Sequence, residues 1–181
     1  MTARASMSAL IASLRRLIND ASGESAVWTD EELQDWLDAH CDEVIEEPLA
    51  YAWQTVDGES VVLAYTAELG NWESDAALTD ANGDTLTADS ENLVVGRWTF
   101  DEHQQPPVYL TGRSYDVYAA AADALEARAA QFALAYDFTA DGASYHRSQQ
   151  AQALLALAKQ YRRRSRPRVA RMVRDDVSAQ G

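Results

Sequence analysis

Two hydrophobic periods alternate along this chain. Over residues 6–19 (SMSALIASLRRLIN), apolar side chains fall at Met7, Leu10, Ile11, Leu14, Leu17 and Ile18, while Arg15 and Arg16 fall opposite them. That spacing predicts a short amphipathic helix. After the polar loop 20–26, the run WTDEELQDWLDAHCDEVIEE predicts a second helix with an unusually complete start. Thr29 and Glu32 are spaced as a capping box, and Trp28 and Leu33 as the hydrophobic staple across it. Asp30, Glu31 and Glu32 sit where the helix dipole favours negative charge. Leu33, Trp36, Leu37, Val44 and Ile45 form the expected buried stripe, and Pro48 ends it.

Past Pro48 the period becomes alternating. AYAWQTV and SVVLAYTAEL are rich in Val, Tyr, Trp and Thr, and Asp57-Gly58 between them is a hairpin signal. Asn82-Gly83-Asp84 marks a second turn, between AALTDA and TLTA. NLVVGRWTF and, beyond Pro106-Pro107, VYLTG are further strand candidates. Residues 49–112 are therefore predicted to be an inserted antiparallel β subdomain of four to six short strands, with acidic residues on exposed faces and loop tips.

From Ser114 to Arg168 the helical period returns in two segments separated by TADGA. Tyr115, Tyr118, Leu125, Phe132 and Tyr136 line one side of the third helix, whose alanine-rich centre suits close packing. Leu154, Leu155, Leu157, Ala158 and Tyr161 line the fourth. Asp141-Gly142 supplies turn chemistry, and Ser144 is placed to cap the fourth helix. An antiparallel helical hairpin is expected. Pro167 breaks it, and RVARMVRDDVSAQG is too polar to order without a partner.

The expected fold class is thus α+β: an antiparallel bundle of about four helices with an inserted antiparallel β subdomain and an extended C-terminal arm. The expected divisions are 1–48 (N-terminal helices), 49–112 (β subdomain), 113–166 (C-terminal hairpin) and 167–181 (arm). A chain of 181 residues can bury a substantial core. A single cysteine, Cys41, leaves no internal disulfide. No apolar run approaches the roughly 18 residues of a membrane span, and Arg15-Arg16 follow Leu10-Ile11 too soon for a signal peptide. A soluble protein without membrane contact is expected.

Charge sharpens this picture. The net charge is −14, but residues 17–112 carry 22 Asp and Glu against one base, Arg97, whereas Tyr145 onward carries nine Lys and Arg against Asp175 and Asp176. The two ends carry opposite fields. Seven arginines, Arg162, Arg163, Arg164, Arg166, Arg168, Arg171 and Arg174, crowd the C-terminus and could grip phosphate or an acidic protein surface. The acidic remainder repels DNA at close range, which favours a protein partner.

No catalytic, cofactor-binding or metal residue is expected. Gly-rich phosphate loops, a serine nucleophile elbow and zinc cysteine pairs are all missing from the sequence. His40 and Cys41 are adjacent, so on a helix they point about 100° apart and read as a helix-edge pair rather than a metal site. His103 and His146 have solvated or capping roles as the default. Carboxylate pairs are too abundant to single out a glycosidase-type dyad, and an enzyme is not expected.

The run ELGNWESDAALTDANGDTLT, then GRWTF, PPVYLTGRSYDVYAAAADALEARAAQFALAYDFTADGASYHRSQQ and LLALAKQYRRRSRPR resembles head-to-tail connector (adaptor) proteins of tailed bacteriophages. The resemblance covers nearly the whole chain and is one of architecture rather than of a catalytic signature. It implies a virion protein of the phage neck, between capsid and tail, present in the host cytoplasm during assembly. It implies a ring homo-oligomer, expected to be a dodecamer, docked on the portal protein through the C-terminal arm and meeting tail or stopper proteins below. Genomic DNA would pass through its channel without specific binding. The large β insertion departs from the shortest adaptors. Trp53, Trp72, Trp98 and Tyr109 are candidates for the subunit interface. The alternative is a nucleic-acid-binding regulatory protein using the fourth helix and the Arg-rich tail.

Overall fold

The computed structural model describes residues 2–133, 138–140, 143–145 and 147–167. The chain is α+β, with four α-helices and antiparallel sheets among the described residues.

The helices are α1 (Ser8–Ile18), α2 (Asp30–Asp38), α3 (Val117–Ala133) and α4 (Arg147–Arg162). One apolar cluster joins them. Met7, Leu10, Ile11 and Leu14 meet Leu33 and Leu37 of α2, Ala120, Ala124 and Leu125 of α3, and Ala158 of α4. Ala120, Ala121, Ala122 and Ala124 are fully buried, and their small side chains let α3 lie close to α4 as well as to α1 and α2. The Tyr161 hydroxyl donates to the Leu17 carbonyl at 2.9 Å, fixing α4 against the end of α1. The capping box is present: the Thr29 hydroxyl accepts from the Glu32 N–H, and the Glu32 carboxylate accepts from the Thr29 N–H.

Helix α2 is shorter than its sequence pattern predicts. It stops at Asp38, and Cys41–Pro48 is a strand, β1, with Val44 facing a core and Ile45 left 71% exposed. Its partner is the strand Tyr109–Tyr115, in register from Cys41↔Tyr115 to Val44↔Gly112 and, past an irregularity near Glu46, to Pro48↔Tyr109. A ladder supplied by residues far along the chain outweighs the helix propensity of the acidic run. The same strand corrects the expected start of the third helix. Ser114 and Tyr115 are still extended, and Asp116 begins α3 by accepting from the Ala119 N–H.

Between these elements lie β2 (Ala50–Tyr51), β3 (Gln54–Val56), β4 (Glu59–Val61), β5 (Ala64–Thr66), β6 (Ala77–Thr79), β7 (Thr85–Leu86), β8 (Ser90–Asn92), β9 (Arg97–Thr99) and β10 (Tyr109–Tyr115). One sheet runs β1-β10-β6-β7 and the other β2-β5-β9-β8, with β3-β4 a separate hairpin. The extended region therefore spans 41–115 with ten strands, rather than four to six over 49–112. Asp57 and Gly58 both take positive φ, the geometry a two-residue hairpin turn demands. The Asn82-Gly83-Asp84 turn is closed by the Asp80 carboxylate, which accepts from the N–H groups of Asn82 and Asp84.

A second apolar cluster fills this region, built on Val62, Tyr65, Leu78, Phe100, Val108 and Leu110 around Trp72 and Trp98. These two tryptophans, expected at a subunit interface, are 2% and 1% exposed and pack edge to face on each other. They belong to the core. Gly96 permits this packing, because a Cβ there would lie 2.3 Å from the Leu69 carbonyl oxygen and 2.9 Å from the Trp72 indole nitrogen.

The expected turn at Asp141-Gly142 and Tyr136 lie outside the described residues, as does His146. Their neighbours form a small hairpin of β11 (Phe138–Ala140) and β12 (Ala143–Tyr145). Ser144 is placed in that hairpin, and α4 starts three residues later at Arg147.

The two clusters meet at Glu73, whose side chain is fully buried. Its carboxylate accepts from the Ser6 hydroxyl at 2.6 Å, the Tyr115 hydroxyl at 2.6 Å and Arg4 Nε at 3.1 Å, and pairs with Arg113 Nε at 3.1 Å. Burial pushes this carboxyl up, but the bonds from Ser6, Tyr115 and Arg4 and the charge of Arg4 outweigh it, so its pKa is lowered from 4.5. A depressed carboxyl stabilises the fold above its unfolded-state pKa and loses that contribution as pH falls through the folded value. Glu73→Gln should cost about 2–4 kcal/mol in denaturant unfolding at pH 7, because two guanidinium groups lose their shared charge. The gap to the parent should narrow below about pH 4.5, the ordinary value for this carboxyl. A difference that does not change with pH would refute the charge-based role.

Candidate functional site

Helix α4 ends in the arginine cluster, and the structure divides its members. Arg162 lies across from α3 and pairs with both Asp123 and Glu126, and these bonds raise its pKa further. Asp123 also bonds His40 Nε2. His40 is therefore a buried turn residue between α2 and β1 rather than the edge of a helix, and Cys41, half-buried, has its thiol pushed up by burial.

Arg166 is the more committed residue. Its N–H donates to Asp116 at 2.6 Å, and its guanidinium reaches Asp42, the Gly70 carbonyl, the Ser114 hydroxyl and the Tyr115 carbonyl at 2.7 to 3.2 Å. These acceptors come from β1, the β5–β6 connection, β10 and the start of α3. The fork of fixed N–H donors is what lets one side chain join three of these segments, while the backbone N–H holds the fourth. Arg164 lies over the Tyr118 ring at 5.9 Å, and Tyr118 in turn packs on Tyr161. Arg163 is exposed. Arg168, Arg171 and Arg174 lie outside the described residues.

Four acids that hold this end, Asp42, Asp116, Asp123 and Glu126, are not distinguishable in sequence from the many other carboxylates. One signal was available: Asp123 and Glu126 are three apart on α3, the spacing that puts two carboxylates on one face. The remaining interface candidates separate as well. Tyr109 is half-buried in the β1–β10–β6 ladder, whereas Trp53 is 54% exposed.

Two surface features remain. Exposed carboxylates, among them Asp42, Glu43, Glu59, Glu68, Asp84 and Glu91, leave the β region strongly acidic. Between the end of α1, α3 and α4 lies an apolar groove of about 400 Å³, lined by Ile18, Leu125, Phe132, Leu154 and Leu157. Leu155, expected in the α4 stripe, is 49% exposed. Among the described residues no group of three or more His, Cys, Asp or Glu could hold a metal ion, and no helix is long and apolar enough to cross a membrane. His103 accepts from the Val62 N–H through Nδ1 at 2.8 Å, a loop-fixing role. No family model, curated protein or solved structure matches this chain.

Removing the Arg166 side chain takes a donor from the Ser114 hydroxyl and from the Gly70 and Tyr115 carbonyls and leaves Asp42 without its guanidinium, although Gly70 keeps the Ser114 hydroxyl. Arg166→Ala should therefore cost about 2–3 kcal/mol by denaturant unfolding, and Arg166→Lys should restore less than half of it, because an ammonium cannot reproduce the fork. Arg163→Ala should stay within about 0.5 kcal/mol of the parent. Equal effects at the two positions would contradict this division.

Proposed function

We propose that this chain is a structural head-to-tail adaptor of a tailed phage neck. In this reading the helices form the bundle of a ring subunit, and residues 167–181 are an arm that docks on the portal protein. Neighbouring copies close into a ring, expected to be a dodecamer, that continues the DNA channel toward tail or stopper proteins. The activity is assembly, not catalysis.

The observation that carries the proposal is the split of the arginines. Arg162 and Arg166 are bonded inside the chain, so the point from which the arm departs is anchored to α3, to the β1–β10 pair and to the β5–β6 connection. Arg168, Arg171 and Arg174 follow that anchor. A rigid exit with a basic segment beyond it suits capture of an acidic protein surface. The acidic body supports the channel role, since basic walls would hold phosphates and slow their passage. The groove between α1, α3 and α4 and the exposed Leu155 offer an apolar face to a neighbour, as a heterologous ring contact requires. The regulatory DNA-binding alternative is less well supported, because two of the arginines it needs already hold carboxylates.

A chain ending at Pro167 should keep its unfolding midpoint within about 1 kcal/mol of the full chain in free energy, since the anchor is retained. It should fail to co-sediment with the portal protein of the same phage, which the full chain should bind. Retained co-sedimentation would refute the arm's role. Tight, salt-sensitive binding to duplex DNA that is lost on Arg163→Ala and Arg164→Ala would favour the alternative.

A further inference from the structure

The most unusual exposed feature lies far from the arginines in sequence, on the sheet β2-β5-β9-β8. Trp53 and Tyr51 are 54% and 46% exposed, yet both rings are held in place. Tyr51 and Trp53 stand nearly perpendicular with ring centres 6.3 Å apart, Tyr51 packs on buried Tyr65 at 5.9 Å, and Trp53 lies against His103 at 5.7 Å. His103 is itself fixed by the Val62 N–H. Isolated exposed apolar residues need no explanation, but two aromatic rings clamped at a surface form a preorganised platform.

A cleft of about 320 Å³ opens beside this platform. Ala50, Ala64 and Thr66 line it with small side chains, and Gln54 and Arg97 add polar ones. Register explains the grouping, because Ala50 pairs with Thr66 and Thr66 with Arg97 across three adjacent strands. Arg97 is the only Lys or Arg between residues 17 and 112, and it has no ion-pair partner among the described residues.

From this geometry we infer that the cleft binds an uncharged saccharide. One face of a pyranose ring presents C–H groups, which sit well on the electron-rich face of an indole. Its hydroxyl groups both donate and accept, matching Gln54, Thr66 and Arg97 around one apolar wall. Charge argues against the charged ring-shaped ligands. The exposed carboxylates of the β region as a whole repel polyanions, including nucleic acid, while Arg97, the one charged residue lining the cleft, disfavours an amine or quaternary ammonium on the Trp53 face. This site is independent of the portal-docking proposal and would place glycan recognition in the β region.

The test uses the full chain against an array of neutral glycans that includes malto-, cello-, chito- and manno-oligosaccharides. Heparin and chitosan serve as charged controls, and hits are measured by tryptophan fluorescence and calorimetry. At least one neutral oligosaccharide should bind more tightly than either control. Trp53→Ala should weaken it about tenfold or more, and Arg97→Ala about threefold, with unchanged thermal unfolding because both side chains are exposed. Trp53→Phe should recover part of the loss. The inference is overturned if no neutral glycan binds, if Trp53→Ala binds as the parent does, or if heparin or chitosan binds as well as any neutral glycan.

Discussion

A carboxylate with no exposed surface must gather its own solvation from the protein, and Glu73 does so from two distant segments. Ser6 and Arg4 come from the N-terminal turn, and Arg113 and Tyr115 come from β10. Arg4 continues to Asp38 at the end of α2, and Arg113 to Asp75. One buried charge thereby sets where the helical cluster and the β cluster meet. The cost of leaving any of these groups unpaired is what makes the arrangement specific. Strand β10 is the element through which this constraint reaches the rest of the chain. It pairs with β1 and β6, supplies two of the four Glu73 partners, and runs directly into Asp116 and α3.

The arginine end of α4 is built around the same junction. Arg166 reaches the Ser114 hydroxyl and the Tyr115 carbonyl, so the chain exit is tied to the strand that also serves Glu73. Arg162 closes the other side by joining α4 to α3. Stability and the proposed docking function therefore draw on one cluster of arginines but on different members of it. The acidic β surface is left free for contacts of another kind, with Trp53 and Arg97 as its exceptional residues.

Local chemistry made part of this fold legible in the sequence. The α2 capping box, the Asp57-Gly58 hairpin and the Asn82-Gly83-Asp84 turn rest on interactions within a few residues, and all three are present. Features set by distant partners were not legible. Cys41–Pro48 contains a run of helix-compatible acids, and only its ladder with β10 makes it a strand. Trp72 and Trp98 differ from Trp53 in no local way, yet two are core and one is exposed. The acceptors of Arg166 come from residues 42 to 116, a set that no local window contains. The four described arginines of this run, which look equivalent in sequence, are thus divided by their distant neighbours.

The adaptor proposal makes a spatial claim that one image can decide. Electron microscopy of tailed particles purified from cells that carry this gene should show the chain as a closed ring between portal and tail. Residues 168–181 should lie against the portal, and acidic side chains should face the channel. A chain absent from such particles, or present only as a free monomer, would contradict the account.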